Sequence, residues 1–183
     1  MRSNARAKAP ERRPARGIVT LRPAVPADLT HLRRWDRDPD VRRSLVDSDW
    51  HWDTELHKNP AWREWLIAEV DGRPIGFIQI IDPEHEETKY WGCMKPGHRA
   101  IDIWIGEPEA RNRGYGAQMM EQAIERSFAE SSVHTVLIDP LESNTRAHRF
   151  YERLGFEFVV RRDFHGDHCC VYRLRRPGLP APN

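Results

Sequence analysis

The sequence predicts an α/β fold of the α+β sandwich kind: a mixed, mostly antiparallel sheet of six to seven strands flanked by helices. Two patterns carry that expectation. In the first half, two β-rich runs, residues 65–70 and 75–81, are joined by Asp71-Gly72-Arg73-Pro74, turn chemistry that pairs them antiparallel. In the second half, strand-like and helix-like periodicities alternate, which lays helices on a sheet. Size agrees: 183 residues, 39% hydrophobic and 31% charged, suit one domain with one core.

Element by element, residues 18–21 read as the first strand. Pro26-Ala27-Asp28 then opens a helix in which Leu29, Leu32 and Trp35 recur at helical spacing, and Asp38-Pro39-Asp40 stops it and starts a second, short one. Residues 46–62 mix acids and aromatics (Asp47, Asp49, Trp50, Trp52, Asp53, Glu55, Trp62) with weak periodicity, as a surface segment over a cleft would. After the hairpin, a polar connection at 82–99 leads to a strand at 100–105. Alternation there sets Ile101, Ile103 and Ile105 on one face, Asp102 and Trp104 on the other. Ala117, Met120, Ile124 and Phe128 mark a helix face, 133–138 a strand, and Ala147, Phe150, Tyr151 and Leu154 a second helix face. Residues 156–161 and 169–174 supply the last strands.

The expected domain is residues 17–176. Residues 1–16 hold six basic residues against Glu11, a net of +5, with no aromatic, and read as a disordered basic tail. A solvated arm is the plain reading; an anionic contact or a targeting role are the alternatives. Residues 177–183 are a Pro-rich second tail. With a total of +1, residues 17–183 are left at −4, which argues against a nucleic-acid-binding core and for a cationic ligand. No apolar run reaches the roughly 18 residues of a membrane span, so a cytoplasmic protein without a membrane partner is expected. Cys93, Cys169 and Cys170 are odd in number and are expected as free thiols.

The sharpest local signal is Arg111-Asn112-Arg113-Gly114-Tyr115-Gly116, between a strand and a helix. Glycines there let backbone N–H groups turn toward a pyrophosphate at the helix N-terminus, with Arg111 and Arg113 adding charge; a plain turn explains the same residues. A third glycine and a Gly-Lys-Ser/Thr are both missing, which excludes a dinucleotide fingerprint and a P-loop.

Arg111-x-x-Gly114-x-Gly116 followed by Asn144-x-x-Ala147-x-x-x-Tyr151-x-x-x-Gly155-Phe156 resembles the two central motifs of the GNAT acyl-CoA-dependent N-acetyltransferases. The order of elements across residues 18–174 is similar to that fold too. The resemblance implies two central parallel strands, at 101–105 and 133–138, splayed to admit acetyl-CoA as co-substrate. It also implies cofactor-binding roles for Arg111, Arg113, Gly114, Tyr115, Gly116 and Asn144, and a general-acid role for Tyr151. A tyrosine suits that task on independent grounds. Amine attack on a thioester expels a thiolate of pKa about 8.5, which a phenol of pKa about 10 can protonate. Packing is the competing role, because Tyr151 shares a helical stripe with Ala147 and Leu154.

Within that family, Pro96-Gly97-His98-Arg99-Ala100-Ile101-Asp102, Ile138-Asp139-Pro140 ahead of Ser143-Asn144, and Asp167 ahead of Val171-Tyr172 resemble the aminoglycoside 6'-N-acetyltransferases. The resemblance implies a small-molecule cationic amine as substrate, Asp102 as base or anchor for its 6'-amine, and Asp139 and Asp167 as sites for other ammonium groups. Asp49, Asp53, Glu55, Glu84, Glu86 and Glu87 would enlarge the field, whereas Lys89 and Lys95 bring the opposite sign. Trp50, Trp52, Trp91 and Trp104 read first as core or interface packing; as aromatic substrate-binding candidates, Trp104, on the face of Asp102, stands first, with Trp91 beside it. His165-x-x-His168-Cys169-Cys170 has metal-ligand residue types, but the cysteines should point to opposite faces of a strand, so no metal is expected. By family habit the chain is a monomer or homodimer. Competing functions are siderophore N-acylation of a hydroxylated lysine, where histidine usually stands at position 102, acetylation of peptide amines, and CoA binding without turnover.

Overall fold

The computed structural model describes residues 17–45 and 50–178. The expected tail at 1–16, most of that at 177–183, and Asp47 and Asp49 lie outside the described residues. Seven strands, β1 (Val19–Pro23), β2 (Arg63–Val70), β3 (Arg73–Ile81), β4 (His98–Ile105), β5 (Thr135–Ile138), β6 (Glu157–Phe164) and β7 (Asp167–Arg175), form one sheet in the order β1-β2-β3-β4-β5-β7-β6. All neighbours are antiparallel except β4 and β5. The mixed, mostly antiparallel sheet expected from the sequence is the one found.

The hairpin between β2 and β3 turns on two residues rather than four. Asp71 (φ 51°) and Gly72 (φ 72°) are both left-handed, which matches the twist of the flanking strands, and Arg73 and Pro74 already belong to β3. The first strand also shifts: Ile18 is solvent-exposed, and pairing starts at Val19.

Among the described residues five helices complete the fold: α1 (Leu29–Trp35), α2 (Pro39–Arg42), α3 (Trp52–Glu55), α4 (Tyr115–Ala129) and α5 (Thr145–Arg153). Pro26-Ala27-Asp28 forms a 3-10 turn ahead of α1, and Asp38 caps α2 by accepting from the Asp40 and Val41 N–H groups. The sheet separates the core into faces. On one, Ile101, Ile103 and Ile105 pack with Met119, Met120 and Ala123 of α4 and Tyr151 of α5. On the other, Trp104 joins Phe77, Ile67, Trp35 and Trp52. The alternation along β4 is therefore as read. Trp52 packs in this core, 4% exposed, as its packing reading has it, and the correction falls on the segment around it, expected at the surface. The buried face of α4 is also rotated, centred on Met119 and Ala123, with Ile124 and Phe128 at its margin and Ala117 turned to a cavity.

The parallel pair positions the site. β4 and β5 share three register pairs, His98 with Thr135, Arg99 with Val136 and Ala100 with Leu137, and then part. β4 runs on to Ile105 without a partner on that side, so a cleft opens where the two strands separate, walled by α4 and α5.

Candidate active site

A cavity of about 1250 Å³ occupies this cleft. It gathers Asp102 and Trp104 from β4, Asp139 from the end of β5, Asn144 and Tyr151 from α5 and its cap, Arg111, Gly114 and Gly116 from the β4–α4 turn, and Trp91. Arg113, Tyr115 and Asp167 do not line it.

Two carboxyls define its polar wall. Asp102 accepts a hydrogen bond from Gln79 Nε2 at its Oδ2 (2.8 Å), and desolvation raises its pKa above the ordinary carboxyl value. Asp139 is buried and is pushed up to about 8, first by burial and then by the charge of Asp102; the Tyr90 hydroxyl, donating at 2.6 Å, pulls the other way. Such a pair resists carrying two charges and has room for a proton or a cation. Tyr151, raised by burial and by both aspartates, keeps its hydroxyl proton well past neutrality.

The opposite end of the cavity is built to meet an anion. Gly114 begins α4 in the left-handed region (φ 84°), no side chain caps the helix, and its first turn carries no acid. The first-turn N–H groups are therefore left for a ligand. A Cβ on Gly116 would meet Ile105 and Phe150 at an ordinary 3.7 Å, so packing does not demand glycine there, and its absence leaves the helix start open to close approach. A pyrophosphate fits this arrangement.

Arg111 differs from its expected role. Its guanidinium binds Asp38 and Asp40 at 3.0 Å each and donates to the Ile105 and Gly106 carbonyls at 3.1 and 3.0 Å. It ties α2 to the end of β4, and its donors are largely used within the protein. Tyr115 is buried in the main core, which leaves its backbone N–H as the group near the turn. Asn144 caps α5, its Oδ1 accepting from the Ala147 N–H at 3.1 Å. Trp104 packs 4.6 Å from the Phe77 ring, and its indole N–H has no partner among the described residues. Trp91 packs edge-on to Phe164, its carbonyl accepting from Arg162 at 3.0 Å. Asp167 starts β7, opposite Phe164 in the β6–β7 hairpin.

Of the further acids expected to enlarge the field, Glu55, Glu86 and Glu87 line the cavity, Glu55 pairing with Lys58 and Arg63, whereas Asp53 pairs with Arg33 off the lining. Glu86 accepts from the Thr88 and Tyr90 N–H groups and so shapes the loop that presents Tyr90. Cys169 and Cys170 enter opposite core clusters. Among the described residues the group of potential metal ligands brought together is Asp82, Glu84 and His85, where Asp82 already pairs with Arg99 at 3.3 Å. Sequence reasoning missed two residues at the polar wall. Gln79 faces Asp102 in the β3–β4 register, which strand alternation could have exposed. Tyr90 left no signal beyond its aromatic ring.

A mixed sheet splayed at its parallel pair, with a helix N-terminus facing the gap, is an acetyltransferase fold. The chain belongs to the GNAT acetyltransferases: the family model described as "Acetyltransferase (GNAT) domain" matches residues 24–164. The aminoglycoside N(6')-acetyltransferase type 1 of Klebsiella pneumoniae is 28% identical over 149 residues, 76% of this chain and 74% of that one. The lysine N-acyltransferase MbtK of Mycolicibacterium paratuberculosis is 25% identical over 171 residues, covering 86% and 73%. Among solved structures, aminoglycoside acetyltransferase AAC(6')-Ib in complex with coenzyme A shares the fold, with a TM-score of 0.76 at 24% identity over 86% of this chain and 95% of that one. No helix among the described residues is long and apolar enough to cross a membrane.

Proposed function

We propose that this protein transfers the acetyl group of acetyl-CoA directly to a primary amine of a polycationic small molecule, the 6'-amine of an aminoglycoside first among them. The observation that carries this reading is the pair of half-buried Asp102 and buried Asp139 beside Tyr151 in one cavity. The similarity to aminoglycoside N(6')-acetyltransferases supports the substrate class.

The residues divide the work. The first-turn N–H groups of α4, opened by Gly114 and Gly116, hold the pyrophosphate of acetyl-CoA, and Asn144 stands beside the acyl arm at the start of α5. Asp139 takes an ammonium group of the substrate, which favours its ionised form. Asp102, a stronger base than an ordinary aspartate because it is desolvated, accepts the proton of the attacking amine directly or through water. The nitrogen–carbon bond forms, the carbon–sulfur bond breaks, and Tyr151 donates its proton to the departing thiolate. Arg111 supports the fold of this site, and Asp167 stands off the cavity lining at the start of β7.

The test is thiol release from acetyl-CoA. Turnover is expected with kanamycin and tobramycin, which carry a 6'-amine, and not with paromomycin, whose 6'-position is a hydroxyl. The likeness to a lysine N-acyltransferase over 86% of the chain makes hydroxylysine the necessary comparison. Turnover of hydroxylysine alone would replace the aminoglycoside reading with siderophore-type acylation.

A further inference from the structure

Asp102 stands at the end of a hydrogen-bonded row that crosses three strands. Trp65 on β2 is the register partner of Gln79 on β3, and Gln79 is the register partner of Asp102 on β4. The Trp65 indole N–H donates to Gln79 Oε1, and Gln79 Nε2 donates to Asp102 Oδ2 at 2.8 Å. Gln79 is 7% exposed, so its amide has little water to turn to. Trp65 is held in turn by the Arg63 guanidinium, 3.9 Å from the ring centroid, and by Trp52 edge-on at 4.8 Å.

The row has a direction set by chemistry. An indole nitrogen only donates, so the amide oxygen must face Trp65 and the amide N–H must face Asp102. A carboxylate completes the row. A protonated Asp102 with its hydroxyl toward Gln79 would set donor against donor, and the amide cannot flip to relieve it without leaving the indole unpaired. We propose that Trp65 and Gln79 are positioning residues that hold Oδ2 of Asp102 as a hydrogen-bond acceptor, favour its ionised form, and leave Oδ1 for the substrate amine. Oδ1 accepts no hydrogen bond among the described residues. The force that pushes the opposite way is desolvation, which raises Asp102; its charge in turn raises Asp139 at the end of β5, Tyr151 on α5 and Tyr90 in the loop before β4. Against a desolvating cavity, the row is the element that favours the charge.

This inference rests on the reading of Asp102 as the group facing the amine, and the test separates the two. The side-chain carboxyl of Asp102 is titrated by carbon-13 NMR in the full-length, substrate-free protein, with Asp139→Asn as background so that the midpoint belongs to one group. The Asp102 signal is assigned by its loss in Asp102→Asn. Gln79→Leu is expected to raise the midpoint by about one pH unit, the scale of one hydrogen bond to a charged group. Trp65→Phe keeps a ring under Arg63, removes the N–H, and is expected to raise the midpoint by less. In the kinetics of the otherwise native chain, the acid limb of kcat/KM for kanamycin should move by the same amount, while a merely structural defect would lower the whole profile in place. Midpoints unmoved in both variants overturn the row. A midpoint that moves while the acid limb stays supports the row and removes Asp102 from the role of base.

Discussion

The Tyr90 hydroxyl donates to Asp139 Oδ2 at 2.6 Å and ties the loop before β4 to the end of β5. The ring that carries it lies stacked on Phe164 at 4.5 Å, so the phenol is aimed by packing as well as by the bond. Tyr90→Phe keeps the stack and deletes the donor. Asp139, already pushed up to about 8, then rises further, and fewer molecules carry its charge near neutral pH. The KM for a polycationic amine should increase about 3- to 10-fold at neutral pH with a smaller change in kcat. Steady-state kinetics repeated near pH 9 should narrow the gap, because wild-type Asp139 is by then mostly ionised and the variant's, though still higher in pKa, has also begun to ionise. A gap that widens instead at high pH would show the phenol acting on the charged state alone.

Asp139 also makes stability depend on pH. A carboxyl whose folded pKa lies near 8, against about 3.9 unfolded, binds more protons folded than unfolded between those values. Stability contributed by this group is therefore full at low pH and is lost as pH rises through that window. Asp139→Asn should flatten the fall, and near pH 8 the variant should melt about 5 °C or more above the wild type. Thermal unfolding followed by circular dichroism from about pH 5 to 8 checks it; parallel curves would return Asp139 to an ordinary carboxyl.

The strand and helix order was legible because each element announces itself locally: alternation in β4, turn chemistry at Asp71-Gly72, a capping aspartate at Asp38. Asp102, Asp139 and Tyr151 were legible through their motif neighbours, and the cavity gathers all three. What was not legible depends on partners distant in the chain. Arg111 reads as a phosphate ligand until Asp38 and Asp40 arrive from α2 to claim it. Trp52 sits in an acidic, weakly periodic stretch, and only the meeting of β3 and β4 with α1 supplies the aromatic core that buries it. The Tyr90–Asp139 bond joins residues 49 apart, beyond any local pattern.

Tyr151 carries a prediction that separates catalysis from packing. It is buried in the main core and also lines the cavity, so the ring and the hydroxyl have different duties. Tyr151→Phe keeps the ring. If the hydroxyl protonates the thiolate, kcat should fall about 100-fold with KM for the amine changed less than about 2-fold. Because its pKa is raised, the wild-type enzyme should show no loss from tyrosine ionisation up to about pH 10. Nearly full turnover by the variant would leave Tyr151 with packing alone.

Two residues of one turn should respond in opposite ways. Gly116→Val adds a side chain where the protein itself offers ordinary contact distance, but where the start of α4 faces the cavity. Its melting temperature should stay within a few degrees of wild type, while coenzyme A affinity by calorimetry should drop at least about 10-fold, since backbone N–H groups can no longer be approached closely. Arg111→Ala removes the two aspartate pairs and leaves the Ile105 and Gly106 carbonyls without their donor. Its side chain is only 13% exposed, so little water replaces what is lost. That variant should lose about 5 °C or more in melting temperature and lose less coenzyme A affinity than Gly116→Val. The reverse order, a stable Arg111→Ala that no longer binds coenzyme A, would make Arg111 a phosphate ligand after all and assign its aspartate pairs a minor part in the fold.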